Sequence, residues 1–372
     1  MTLSFPSSLS GFSGFSGLSG LSGLSRLAPL AAALVLAGCM STPAVQEHAG
    51  VPVPAAFSEA ANAASWTTAP PAEAQPRGAW WLGFRDPVLN DLVERAGSGN
   101  TTVQEAAARL AEARALLRSA DANRAPQVGV STGVARQAGA NTPGGTTPAT
   151  LATAGLNVSY ELDLFGRLSQ ASDAARLDAQ GRNALLQSTL LMAQADVAQT
   201  YLQLRAVQAE RALVDEGLAA YQGTLRLTER RFQAGDVAEL DVARVQTEVA
   251  STESEALALE RQQALLTHAL AVLVGEVSTG FTVPPAAGEA ALPVIPAGVP
   301  GTVLARRPDV SAAQAAVLAA QARVGVAQAA WFPAVTLTGN GGYASPELGD
   351  LLKWSARSWG IGALLSLPIF DG

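Results

Sequence analysis

The chain is short of most residues that enzymes and metal proteins rely on. Of its 372 residues one is Cys and two are His, charged residues make up 15% and aromatics 5%. A single cysteine, Cys39, excludes an internal disulfide. His48 and His268 lie far apart, and neither has a metal-ligating neighbour three or four positions away, so no metal site is predicted. The net charge of -7 and the sequence pI near 5.0 argue against a nucleic-acid partner. No G-x-x-x-x-G-K, G-x-S-x-G, H-E-x-x-H or C-x-x-C pattern occurs. Gly339-Asn-Gly341-Gly342 lies in an expected strand and its loop, with no helix after it to bind phosphate. No catalysis and no cofactor are therefore expected.

What is present is alanine-rich, 48% hydrophobic, and long enough for more than one domain. Arg26 precedes the apolar run Leu27–Gly38, which is too short to cross a bilayer, where about 20 residues are needed. The run ends in Leu36-Ala37-Gly38-Cys39, where small residues let a peptidase approach and the thiol accepts a diacylglycerol. Residues 1–38 are read as a lipoprotein signal peptide, Cys39 as the lipidated first residue, and 39–79 as a Pro/Ala-rich tether. Position 40 is Met and not Asp, which by resemblance to enteric lipoproteins implies passage to the outer membrane.

Trp80-Trp81-Leu82-Gly83-Phe84 precedes Asp86-Pro87, where Asp86 suits an N-cap and Pro87 the first helical position. A helix from Pro87 to about Ala96 breaks at Gly97-Ser98-Gly99. Asn100 or Thr101 caps another to about Arg124, stopped by Pro126. Gln127–Gln137 reads as a strand, Ala138–Thr150 as a loop, and Leu156–Asp163 alternates strictly between apolar and polar residues. Such a strand suits either a soluble sandwich or a membrane barrel. In a barrel, Leu156, Val158, Tyr160 and Leu162 would meet lipid, and Asn157, Ser159, Glu161 and Asp163 the lumen.

The period then changes from two to heptad spacing. One seam includes Leu190, Val197, Leu204, Val214, Leu225 and Phe232; a second includes Val242, Val249, Leu259 and Leu270. Gln233-Ala-Gly235-Asp236-Val237 turns between them, so an antiparallel helical hairpin is expected, its first helix from Phe165 to Gln233 extending on the order of 100 Å at ~1.5 Å per residue. The second helix ends at Gly275, Val283–Pro300 is a linker, and Pro308-Asp309 opens a helix reaching Trp331, with Asp309 suited to cap it and Pro333 to stop it. Val335–Thr338 alternates, and Ile361–Phe370 closes the chain's pattern. The segments ending at Pro126 and Pro333 overlay in register, giving an internal repeat: residues 80–280 form the first unit with its hairpin, and 281–372 begin a second.

Leu304-Ala-Arg306-Arg307-Pro308-Asp309-Val310, followed by Gly325-Val-Ala-Gln-Ala-Ala-Trp-Phe-Pro333, resembles the second-repeat signature of the TolC-like outer-membrane efflux family, in its NodT-like lipoprotein branch serving RND-type multidrug pumps. Trp80-Trp81 with Phe84 and Asp86-Pro87-Val88-Leu89 resembles the family's entry motif, and a plain core cluster accounts for the tryptophans equally well. The resemblance implies an α+β fold: a homotrimer in which each protomer gives four strands to one barrel in the outer-membrane lipid, continued by a long antiparallel helical tunnel. It implies a passive exit duct fed by an inner-membrane pump through a periplasmic adaptor. The turn Arg231 to Asp241 resembles the periplasmic tip, with Arg231, Gly235, Asp236, Val237 and Asp241 as partner-facing residues and Asp241 as a gate carboxylate. Arg306, Arg307, Pro308, Asp309 and Pro333 are read as structural. The hairpin due after the second pair of strands is missing before Gly372, which implies a C-terminally shortened chain. Two alternatives stay open on the residues: a periplasmic adaptor lipoprotein, and an inert coiled-coil lipoprotein from a decayed duct gene.

Overall fold

A computed structural model describes residues 78–138, 147–284 and 306–370, with Pro293 and Leu304 as isolated positions. The signal segment, Cys39, nearly all of the tether and most of the 281–305 linker lie outside the described residues. A 3-10 turn at Trp80–Phe84 precedes α1 (Pro87–Gly99) and α2 (Thr101–Ala122). Strands β1 (Gln127–Gln137) and β2 (Ala149–Leu162) follow, then the long helix α3 (Arg167–Gln233) and its return α4 (Glu239–Leu273). Helix α5 (Pro308–Ala329), β3 (Ala334–Ser345) and β4 (Arg357–Ser366) complete the order, with short 3-10 turns at Leu348–Asp350 and Trp354–Ala356 between the last two strands.

The four strands form one antiparallel sheet in chain order, β1-β2-β3-β4. β1 has the expected bounds. β2 begins at Ala149, well before the expected Leu156, because Leu151-Ala-Thr-Ala-Gly155 pairs with Ser131–Ala135 of β1 although it carries no alternation of its own. It ends at Leu162, so Asp163 is not a strand residue. The Asp163 carboxylate accepts the backbone N–H groups of Leu168 (2.9 Å) and Ser169 (2.7 Å) and so closes the first turn of α3 across Gly166, whose φ is +76°.

α3 is 67 residues long, roughly 100 Å at ~1.5 Å per residue. Its first part packs against α2 and α5, and its second against α4. On α5 the contact is a stripe of Ala312, Ala315, Ala319, Ala322 and Gly325; a Cβ at Gly325 would lie 3.1 Å from the Gln170 side chain. Between these regions α1 lies across the hairpin and buries Leu89, Leu92 and Val93 against Val197, Tyr201, Leu204 and Leu270. Each such side chain contributes about 1.5–3 kcal/mol when fully buried. Contrary to the expected break, α1 continues through Gly97-Ser98-Gly99, and Asn100 ends it while capping α2 through the N–H groups of Thr102 and Val103. Gly99 is needed for a different reason: its backbone abuts the end of α4, where an added Cβ would lie 2.3 Å from the carbonyl of Val274.

The α2–β1 and α5–β3 segments match in length and spacing. α2 and α5 each span 22 residues, and in each unit the strand starts five residues after the helix, from Ala122 to Gln127 and from Ala329 to Ala334. The stacked rings of Phe165 and Phe332, 4.6 Å apart and 10° from parallel, join the two helix–strand junctions.

Candidate functional site: a two-faced sheet and a helical tip

Pairing in the sheet sorts its side chains into two faces. Successive residues in a strand point to opposite sides, and directly paired residues share a side. One face carries Val128, Val130 and Val134 from β1; Leu156, Val158, Tyr160 and Leu162 from β2; Val335, Leu337 and Tyr343 from β3; and Trp359, Ile361, Ala363 and Leu365 from β4. The other carries Gln127, Gly129, Ser131, Gly133, Thr153, Gly155, Asn157, Ser159, Glu161, Thr336, Thr338, Asn340, Gly342, Gly360 and Gly362, with Leu151 and Leu364 as its large apolar residues. The described residues leave the apolar face uncovered: Val130 is 81% exposed and Ile361 87%. A soluble sandwich would bury that face, so the sandwich option for Leu156–Leu162 falls. A sheet whose apolar side is bare and whose other side is small and polar suits lipid outside and water inside.

Glycine shapes the inner face at one register row. Gly155 and Gly342 are direct partners; a Cβ on Gly155 would lie 2.8 Å from the Gly341 carbonyl, and one on Gly342 only 2.3 Å from that of Ala154. Only glycine lets the two strands approach and coil this tightly. In a neighbouring row Asn157 pairs with Asn340, and each amide leans over a glycine of the outer strand, Gly129 and Gly360.

At the base of the sheet, Arg167 makes a two-pronged ion pair with Glu161, with Nη2 at 2.7 Å from each carboxylate oxygen. Burial works against the charge on Asp163, but the N–H groups of Leu168 and Ser169 and the Ser169 hydroxyl outweigh it and hold the carboxyl below its usual range.

At the far end of the hairpin, Gly235 adopts φ +82°, Asp236 N donates to Arg231 O at 2.9 Å, and Gly235 N donates to Phe232 O at 2.9 Å. This is the left-handed glycine cap that ends α3. The residues expected at a tip are gathered here. Arg231 Nε lies 2.8 Å from Asp236 Oδ2, Val237 is half-buried, and Asp241 Oδ2 accepts the N–H of Ala238 at 3.2 Å. Asp241 thus starts α4. Phe232, placed in the seam by its spacing, is exposed instead, as is Leu240 across the turn. The spacing could not reveal this, because the seam has no partner helix beyond the turn. Of the seam positions named above, Val197 and Leu204 on α3 and Val242, Leu259 and Leu270 on α4 are buried.

The Arg306–Asp309 cluster lies elsewhere, at the start of α5. Arg307 occupies the capping position without a side-chain cap, so Asp309 does not cap the helix. Asp309 sits in the first turn, where its carboxylate takes Arg307 Nη2 at 2.6 Å and the N–H of Val310 at 3.0 Å. The Arg307 hydrogen bond holds Asp309 below the usual carboxylate range. Arg306 borders a groove with Trp80 and Gln180, and Pro333 directly precedes β3. Sequence reasoning missed Tyr201, which is fully buried and donates to Asp86. It lies between seam positions Val197 and Leu204, and only a third helix covering α3 makes that position core.

Comparison with known proteins agrees with this geometry. The family model described as outer membrane efflux protein matches residues 92–276 and 299–372. The cation efflux system protein CusC of Escherichia coli O6:H1 is 30% identical over 344 residues, covering 92% of this chain and 73% of CusC. The toluene efflux pump outer membrane protein TtgF of Pseudomonas putida is 30% identical over 355 residues, covering 92% and 72%. Among solved structures, the outer-membrane channel OprN superposes with a TM-score of 0.73 at 31% identity, covering 87% of this chain and 72% of OprN. VceC of Vibrio cholerae superposes at 0.69 with 28% identity, covering 80% and 72%.

Proposed function

We propose, from the premise that this chain belongs to the outer membrane efflux protein family, that three copies close one duct and that a lipid on Cys39 helps anchor it. The chain is an outer-membrane channel of a tripartite efflux system. The observation that carries the duct reading is the four-stranded sheet with a bare apolar face and two unpaired edge strands, β1 and β4. Unpaired backbone groups in lipid cost several kcal/mol each, so the edges must meet those of other copies. Twelve strands from three chains would leave the Asn- and Gly-lined face around a water-filled lumen.

Two relatives of the same 30% identity are named for cations and for toluene. That breadth supports a passive wall, with the exported compound chosen upstream by an inner-membrane pump and no chemistry in the duct. The tip at Gly235 then receives the periplasmic adaptor, with Phe232 and Leu240 as apolar contacts and Arg231, Asp236 and Val237 around them. Asp241 serves there as the gate carboxylate once a cation competes with its turn. Native mass spectrometry of the detergent-extracted protein should give a trimer, and the trimer should conduct ions in a planar bilayer. A non-conducting monomer whose gel mobility does not change on heating would overturn the shared barrel.

A further inference from the structure

We propose that the rim of the sheet opposite the helices holds a phosphorylated glycolipid of the outer leaflet, with Arg357 as the phosphate ligand; this rests on the duct reading above. The helices join the sheet at Gln127, Leu162 and Ala334, so the strand ends Gln137, Ala149, Ser345 and Arg357 lie at the other end, which faces the outside. At that end the lipid-facing side of β3 and β4 finishes in Tyr343 and its register partner Arg357.

Three observations bring a lipid phosphate to this place. First, the Arg357 guanidinium lies 4.7 Å over the ring of Trp354 and donates to the Trp354 carbonyl at 3.1 Å. It forms no ion pair with a carboxylate among the described residues, whereas neighbouring Lys353 is bound to Asp350 at 2.6 Å. The ring fixes the guanidinium while its remaining N–H groups stay available, and that planar fork matches a phosphate. Second, the preceding connection presents Leu348, Leu352 and Trp354 to solvent, an apolar and aromatic set unsuited to a free aqueous loop but suited to a headgroup boundary. Third, the face is graded along β4: Arg357, then Trp359, then Ile361, Ala363 and Leu365. From Arg357 to Leu365 the strand runs about 27 Å at ~3.4 Å per residue, which at a barrel tilt of about 40° spans about 21 Å, most of the ~25 Å apolar band of an outer-membrane barrel. Charge, aromatic belt and apolar wall thus follow the order of one lipid from headgroup to acyl chain.

A glycolipid bearing phosphate monoesters offers more charge per molecule than a phosphodiester lipid, so it is the occupant assigned here. The test uses the whole protein in detergent with four probes: bis-phosphorylated lipid A, monophosphorylated lipid A, the same lipid stripped of both phosphates, and phosphatidylglycerol. Binding is read by native mass spectrometry. Affinity should fall in that order for the three glycolipids, with phosphatidylglycerol well below the first. Arg357→Ala should weaken bis-phosphorylated lipid A by about tenfold, the worth of one charge-assisted hydrogen-bonded contact, and Arg357→Lys by less. Should Arg357→Ala fail to assemble, Trp354→Leu carries the test and should weaken binding by about threefold, the worth of an exposed cation–π contact. Unchanged binding in an assembled variant, indifference to the phosphates, or equal affinity for phosphatidylglycerol would overturn the assignment and leave the duct standing. A wild-type chain that neither assembles nor inserts would overturn both.

Discussion

The hydroxyl of Tyr201 donates a 2.7 Å hydrogen bond to Oδ2 of Asp86, tying the segment ahead of α1 to the middle of the 67-residue helix α3. The other oxygen of Asp86 caps α1 through the N–H groups of Val88 and Leu89. Both partners are buried, and burial together with the Asp86 carboxylate pushes the phenol's pKa up, so Tyr201 remains a donor. Tyr201→Phe should cost about 1–2 kcal/mol by leaving a buried carboxylate oxygen without its donor, and Asp86→Ala should cost more because the cap is lost too. Chemical denaturation of the two single variants and the double variant should show the pair to be non-additive. Additive losses would mean the bond contributes nothing in solution.

The Asp163 cap should make stability depend on pH. Its carboxyl titrates lower in the folded chain than in the unfolded one. The contribution is therefore complete above the unfolded value, ~3.9, and is lost as pH falls through the folded value. Asp163→Ala should lower stability by about 1 kcal/mol near pH 7. The gap to the parent should stay level down to pH ~5 and narrow below pH ~4. A gap that widens on acidification would contradict the cap's charge.

Gly342→Ala places a methyl 2.3 Å from the Ala154 carbonyl, a backbone atom that cannot swing aside. The variant should lose the heat-modifiable form on gels and accumulate outside the outer membrane. Gly349→Ala, where an added Cβ meets nothing within 4 Å, is the control and should behave as the parent. Normal insertion of Gly342→Ala would show that the close approach of β2 and β3 is not required.

Cysteines placed at Asp236 or Val237 should cross-link to a co-expressed adaptor hairpin, while one at Thr200 should not. Cross-linking confined to Thr200 would move the partner surface up the hairpin, away from Gly235.

Cys39→Ser should abolish labelled-palmitate incorporation and accumulate as uncleaved precursor. Continued labelling of that variant would remove Cys39 as the anchor.

Legibility followed the physics of each element. β1 was readable because Gln127 follows Pro126 and its valines alternate. The first half of β2 was not, because Leu151-Ala-Thr-Ala-Gly155 has too little contrast between its faces and gains its pairing from β1. Asp163 continued the polar register of β2 by spacing, yet Gly166 turns the backbone and sends that carboxylate to the start of α3. At the tip, Gly235 announced the turn, while the exposure of Phe232 depends on how far the partner helix extends. Asp309 was suited to a cap by composition, but Pro308 begins the helix two residues too early for it. The helix stops were the most readable features, since Pro126 and Pro333 each follow a helix of 22 residues and precede a strand.

The stack of Phe165 on Phe332 sits where α3 leaves the sheet, at the opposite end of that helix from Gly235. Between the two, α2 and α5 pack along the first part of α3 and α1 clamps it at Val197, Tyr201 and Leu204, so the stretch that can swing is the one beyond Leu204. That arm is about 44 Å long at ~1.5 Å per residue, and a pivot of about one degree at Leu204 carries the turn about 0.8 Å. Small adjustments of packing beneath α1 are therefore passed outward to Gly235, and work done on the turn returns along the same arm to the α1 clamp as a small torque.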